Sequence, residues 1–194
     1  MEQSTIKKYE LVNEDTIVLG DVTLFRVKAL ISFGAVKKGD LGGYVENEDN
    51  LSHSGYAWVS DGAVVYDNAK VTGDAWVSDN AKVTGNARVY DNTWVYGNAK
   101  VSDNAEVTGN AKVSDNAEVT GNAKVYDNAE VTGNAKVYGN ARVFGDACVA
   151  GDAWVIDNAR IYGKAKVTGN ARVFGTARVS GDATVAGDAI VYGR

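Results

Sequence analysis

From Ala57 to Arg194 small apolar and polar positions follow one six-residue phrase, A-x-V-x-(G/D)-(N/D), repeated 23 times with nothing inserted or deleted. Alanine holds the first slot of every hexad but one, at Thr93, and valine the third slot of every hexad but one, at Ile161. In an extended chain, side chains two residues apart point the same way. Ala and Val therefore form one apolar face, while residues such as Lys82 and Thr84, on either side of Val83, form a polar one. Each hexad predicts a very short strand with one buried face. The fifth slot is Gly 15 times and Asp 8 times, and the sixth is Asn 14 times. These residue types tolerate left-handed backbone and predict a corner after every strand.

No hexad reverses the order of its slots, so the strands cannot pair as hairpins. They can stack as parallel coils. Trp58, Trp76 and Trp94 are each separated by three hexads, which predicts that three hexads make one turn and that the three tryptophans share a column. Two or four hexads per turn would scatter them. The expected fold is all-β: a triangular, single-stranded parallel β-helix with an 18-residue coil and seven to eight turns. Repetition of small Ala and Val down the axis supplies a core that no single repeat could build. The Asn column predicts ladders of side-chain amides joining successive corners.

Residues 1–56 break the repeat and read as a β-rich N-terminal cap on the solenoid of residues 57–194. Tyr9–Val12, Thr16–Leu19 and Val22–Ile31 predict strands, with Gly20-Asp21 a tight turn. Val45, Leu51 and Ala57 are six apart, so the coil is expected to begin before the phrase becomes regular. A cap is needed because an open solenoid end exposes backbone groups and apolar interior. At the other end the phrase runs in register through Ala189-Ile190-Val191-Tyr192-Gly193-Arg194. That predicts an unpaired strand edge able to meet a second copy or a partner.

Hexads such as VTGNAK, VYDNAE and VFGDAC resemble the hexapeptide repeat of left-handed parallel β-helices, in which an aliphatic residue is followed four positions later by a small one. The resemblance covers residues 57–194, and the left-handed sense of the coil is implied by it alone. The leader segments RVKAL, VKKGDLGGYVE and NLSHSGYAWV are similar to the front end of uncharacterised hexapeptide-repeat proteins of bacteria and their phages. This second resemblance implies no activity. It extends the expected role to a phage or bacterial inhibitor of a host complex, with no target named by any residue.

The best-known hexapeptide-repeat proteins are acyltransferases that use a histidine base beside a loop breaking the coil. Here the one histidine, His53, precedes the regular coil, and no loop interrupts the hexads. A general base needs a pocket built around it, so His53 is expected to be a cap residue. One histidine also cannot supply a three-histidine zinc site. The corner acids Asp61, Asp67, Asp79, Asp103 and Asp127 are of the right type for calcium. That ion needs six to eight converging oxygens, and most corners carry one carboxylate. Cys148 is the single cysteine, which excludes a disulfide framework, and its neighbours offer nothing to activate the thiol. Threonines spread over three faces do not form the paired ladder of an ice-binding surface. No cofactor or metal is expected.

The formal charge of −5 is mild, with nine acids to six bases in residues 1–56 and sixteen to fourteen beyond. The start lacks the apolar run of a signal peptide, and no stretch reaches a membrane-spanning length, so a soluble, cytoplasmic protein with no membrane partner is expected.

Sorting outward residues by the 18-residue turn leaves three faces. The first carries Trp58, Trp76 and Trp94, then Lys112, Glu130, Cys148, Lys166 and Thr184. The second carries Trp154 and Ile190, with Tyr138, Ile156, Phe174 and Tyr192 in the adjacent column, and reads as an oligomer or partner interface. The third stacks Lys70, Arg88, Glu106, Lys124, Arg142, Arg160 and Arg178 beside Tyr90, Thr108, Tyr126, Phe144 and Tyr162. Arg and aromatic residues are enriched where proteins bind proteins. The residues expected to bind a protein are therefore Arg88, Tyr90, Lys124, Tyr126, Arg142, Phe144, Arg160 and Tyr162. Acidic corners and Glu106 interrupt the positive track that a nucleic-acid backbone requires, which argues against nucleic acid. The function expected is a non-enzymatic scaffold that binds a protein partner or itself. The rivals are a hexapeptide acyltransferase and a structural homopolymer.

Overall fold

A computed structural model describes residues 7–194. Each hexad from Ala57 onward forms a strand of mostly two residues centred on its second and third slots, followed by a turn. The strands pair in parallel with their equivalents three hexads on, as in Trp58↔Trp76↔Trp94 and Lys100↔Glu118. Three sheets result, of eleven, eight and seven strands, one along each side of a triangular β-solenoid. Backbone bonds run from coil to coil, for example Lys82 N to Ala99 O at 2.9 Å and Thr84 N to Val101 O at 3.0 Å.

The interior is the Ala and Val columns, buried from Ala57 to Val179. Thr93 takes an alanine slot without leaving a polar atom stranded, because its hydroxyl donates to the carbonyl of Tyr90. Each buried valine contributes on the order of 2 kcal/mol from apolar burial. Among the described residues no helix is long and apolar enough to cross a membrane.

The corners follow the chemistry of their residues. All eight Asp residues of the fifth slot adopt φ between +56° and +62°. Where Gly holds that slot, coils approach closely: a Cβ on Gly109, at φ +77°, would lie 2.8 Å from the backbone N and O of Asp127. The Asn ladders form as expected. One runs Asn68→Asn86→Asn104→Asn122→Asn140→Asn158, each amide donating to the next carbonyl oxygen. The other two corners carry similar ladders that end on Asp152 and Asp146.

The cap is an antiparallel hairpin joined to this parallel coil. Strand β1 (Tyr9–Leu19) pairs with β2 (Val22–Ala29) around Gly20-Asp21. The two strands expected over 9–12 and 16–19 are one strand with a register shift between Val12 and Thr16, and β2 stops two residues short of Ile31. The stop has a local cause. Leu30 N still bonds Lys8 O in the register of β1, but Lys8 N turns to His53 Nδ1 and leaves that pair half-made.

Strand β3 (Leu41–Val45) is antiparallel to β2 on one edge and parallel to Val64–Val65 on the other. It is thus the first rung of the second-face sheet. Val45 pairs with Val65 and Leu51 with Val71, so this first turn is two residues longer than the regular coil. Gly42 and Gly43 permit the contact: a Cβ on Gly43 would lie 2.5 Å from Ala63 O, and one on Gly42 would run into Val59 O.

Single long-range contacts hold the cap. The Tyr9 ring is fully buried and its hydroxyl donates to Leu51 O at 2.6 Å. The buried Lys8 ammonium donates to Ala57 O at 2.8 Å and lies 4.8 Å from the centre of the Phe33 ring. Asn50, 1% exposed, donates to Asp67 O and Ala69 O.

Candidate binding faces

His53 sits where the cap meets the coil. Its Nδ1 accepts the backbone N–H of Lys8 at 3.2 Å, its ring stacks on Tyr9 at 4.2 Å, and its Nε2 is 3.6 Å from Glu48 Oε2. Glu48 also pairs with Lys7 at 2.6 Å, and that hydrogen bond, followed by the His53 contact, holds its carboxyl below the usual range. The imidazole is thereby engaged in anchoring residues 7–9.

The corner acids are engaged as well. Asp67, Asp79, Asp91, Asp103, Asp115, Asp127 and Asp157 each turn one carboxylate oxygen to the N–H of a glycine one coil on, at 2.9–3.2 Å. Among the described residues no three His, Cys, Asp or Glu side chains converge as metal ligands would. Burial, with Glu130 adding to it, pushes the Cys148 thiol above its ordinary pKa, which disfavours the reactive thiolate.

On the first face the backbone brings Trp58, Trp76 and Trp94 into one column, but the rings do not form one stack. Trp76 and Trp94 stack with centroids 6.3 Å apart, whereas Trp58 turns under the cap and meets Phe33 edge-on at 5.4 Å. Trp58 is 2% exposed and Trp94 51%. The reason is local: β3 covers the first rung through Gly42, and among the described residues the third rung has no such cover.

On the second face Tyr138 meets Trp154 edge-on at 6.1 Å, and Phe174 packs against Tyr192 at 5.1 Å. Lys136 and Arg172 lie over Trp154 on either side, at 5.8 and 5.2 Å from its ring. Trp154 is therefore sandwiched by cations rather than presented as a bare apolar surface. Ile156 stands half-buried beside it, and Ile190 and Tyr192 remain exposed. Higher on this face Glu118 is shared by Lys100 and Lys136, at 3.4 and 3.2 Å.

The third face carries a run of three parallel rings. Tyr126, Phe144 and Tyr162 stack at 4.8 and 5.0 Å with planes within 5° of parallel. Offset stacking at this spacing favours neighbouring coils by about 1 kcal/mol per pair. In the cation column Glu106 binds Lys124 and also accepts the hydroxyl of Tyr90. Those hydrogen bonds, from Lys124 first and then Tyr90, hold its carboxyl below the ordinary range. Burial, helped by the bond to Glu106, pushes the Tyr90 phenol up.

Beyond this linked set Arg142, Arg160 and Arg178 follow one another on successive coils. Among the described residues no carboxylate lies within ion-pair distance of these three. A shallow recess of about 400 Å3 opens between Tyr90 and Tyr126, over Thr108, with Glu106, Lys124, Arg142, Asp91 and Asp127 around it.

The columns on this face were visible in the 18-residue sorting. The Tyr90–Glu106–Lys124 link was not, because it depends on how three side chains turn. The recess did carry a signal, since Thr108 interrupts a run of rings.

Residues 135–157 and 177–193 match the family described as YdcK Beta solenoid repeat. The match spans parts of the second half of the coil, including Tyr138, Arg142, Phe144 and Trp154. It agrees with a solenoid of about eight turns and assigns no activity. No curated protein matches this chain.

Proposed function

We propose that this β-solenoid repeat protein is a non-enzymatic binding scaffold whose third face engages an acidic segment of a protein partner. One observation carries the reading. Arg142, Arg160 and Arg178 stand on consecutive coils without carboxylate partners among the described residues, beside the parallel rings of Tyr126, Phe144 and Tyr162. Like charges one strand spacing apart, about 4.8 Å, repel one another. An anionic partner relieves that repulsion, and the flanking rings offer flat, rigid contact area. An inhibitor that covers a host complex is one form such a scaffold takes.

The test is binding of a short Glu/Asp-rich peptide to the full chain and to a variant with Arg142, Phe144, Arg160 and Tyr162 changed to Ser. Binding that weakens with added salt and is lost in the variant supports the reading. Equal binding by both proteins overturns it. Non-enzymatic action is supported by the engagement of His53 in the cap. Acyl-CoA turnover that disappears in His53→Ala would reverse that point.

Self-association is a second reading, favoured by the Phe174–Tyr192 pair on the second face, whose tyrosine is exposed. Phe174→Glu with Tyr192→Glu should lower the mass in solution if that face joins two copies. An unchanged mass removes it.

A further inference from the structure

The structure assigns the recess over Thr108 as a slot for one aromatic side chain, tyrosine or tryptophan, of a protein partner. This deepens the proposed function and rests on the same face. At 18-residue spacing the column reads Tyr90, Thr108, Tyr126, Phe144, Tyr162. Where rings occupy consecutive coils they lie 4.8 and 5.0 Å apart. Thr108 supplies no ring, and its hydroxyl is turned aside to donate to Asp91 at 2.5 Å. The backbones that carry Tyr90 and Tyr126 are two coils apart, roughly 10 Å; Tyr90 leans over the intervening coil to bond Glu106, so it closes one end of the recess and the Tyr126 ring forms the facing wall. A ring entering over Thr108 would meet Tyr126 at the spacing that Phe144 keeps on its other side, within the range aromatic pairs prefer. Thr108 and Gly109 form the floor.

The rim selects the chemistry of that ring. Asp91 uses one oxygen to accept from Thr108 and Gly109, and Asp127 uses one to accept from Gly145. Among the described residues the second oxygen of each carries no hydrogen bond, so both can accept from an O–H or N–H on a ring edge. Tyrosine and tryptophan carry such a donor and phenylalanine does not. Lys124 is already matched by Glu106. A ring bearing phosphate would meet three carboxylates, Glu106, Asp91 and Asp127, inside the slot. Arg142 stands at its edge, the first of the three guanidiniums that would receive acidic neighbours of the inserted residue.

The experiment is an amide NMR titration of the full chain with a capped peptide Glu-Asp-Trp-Asp-Glu, the same peptide with Ala for Trp, and N-acetyltryptophanamide. Two further variants complete it. Thr108→Tyr closes the slot with a ring of the chain's own, and Thr108→Ser leaves it open. The Trp peptide should shift the amides of Thr108 and Gly109 and bind about tenfold more tightly than the Ala peptide. Thr108→Tyr should abolish that difference, and Thr108→Ser should keep it. If Thr108→Tyr does not fold, Tyr126→Leu removes one wall and should also abolish the difference.

Equal binding of the two peptides overturns the slot while leaving the acidic-segment reading intact. Binding of N-acetyltryptophanamide at Thr108 with no binding of the Ala peptide keeps the slot and overturns that reading. Shifts at Thr108 caused by adenosine monophosphate or by methyl glucoside, and not by the Trp peptide, overturn the assigned ligand class. Failure of every probe overturns both.

Discussion

Asn50 in the cap and Asn104 in the coil each use a side-chain amide to tie one level of the protein to the next. Asn50 is buried, donates to Asp67 O and Ala69 O, and accepts from Asn47 N. Asn104 is exposed, donates to Asn122, and receives from Asn86 in a ladder that continues in both directions. The difference runs through both regions. Cap contacts such as Tyr9 to Leu51 or Lys8 to Ala57 occur once and join residues far apart in sequence. Coil contacts recur with every turn. Loss of one cap contact has no neighbour to share it, while loss of one coil contact leaves equivalent contacts above and below.

Four changes should break or sharpen this contrast. The largest effect is expected from Gly43→Val, which forces a side chain against Ala63 O and Val59. Cap docking should weaken by about 3 kcal/mol or more. Calorimetry would detect it, and Trp58 fluorescence should report solvent exposure while coil circular dichroism persists. Asn50→Ala strands two carbonyls and should cost about 2 kcal/mol in the same assay. Asn104→Ala removes one step of an exposed ladder and should cost about 1 kcal/mol or less. A larger loss at Asn104 than at Asn50 would contradict the contrast.

The smallest effect is on pH dependence. Burial lowers the Lys8 ammonium from 10.5 to about 8, against the pull of Asp74. The unfolded chain keeps that proton to higher pH, so between the two values unfolding takes up a proton and stability rises with pH. From about pH 7 to about pH 8 cap opening, read by hydrogen exchange at Leu30, whose N–H bonds Lys8 O, should become harder by roughly 0.4 kcal/mol. In Lys8→Met that rise should vanish. In the coil, hydrogen bonds from Thr120 and Gly121 to Asp103, and from Thr132 and Gly133 to Asp115, hold both carboxyls below 3.8. Their contribution is present above that value and is lost as pH falls through the lowered ones.

The same contrast explains what could be read from the sequence. The coil was legible because every hexad repeats the same local solution, so period, face and corner reinforce one another 23 times. Trp58 and Trp94 show the limit. They occupy the same slot of the phrase, yet one is buried and the other half-exposed, because only the first has β3 above it. The merging of the two expected strands into β1 and the lengthened first turn depend on single tertiary contacts that no periodicity encodes. On the third face the ring and cation columns were legible. The pairing of Glu106 with Lys124, which divides that column into a neutralised part and an unmatched part, required coordinates.

The turn of three hexads makes the surface behave like text with a reading frame. Insertion or deletion of a single hexad preserves every strand, corner and buried valine nearby, but carries each downstream side chain one-third of a revolution around the axis. Arg142 would then leave the line of Arg88 and join that of Lys100 after a deletion or that of Lys112 after an insertion. Only changes by a whole turn extend a face without scrambling it, so the lengthwise identity of each face is protected by a constraint that the core itself does not impose.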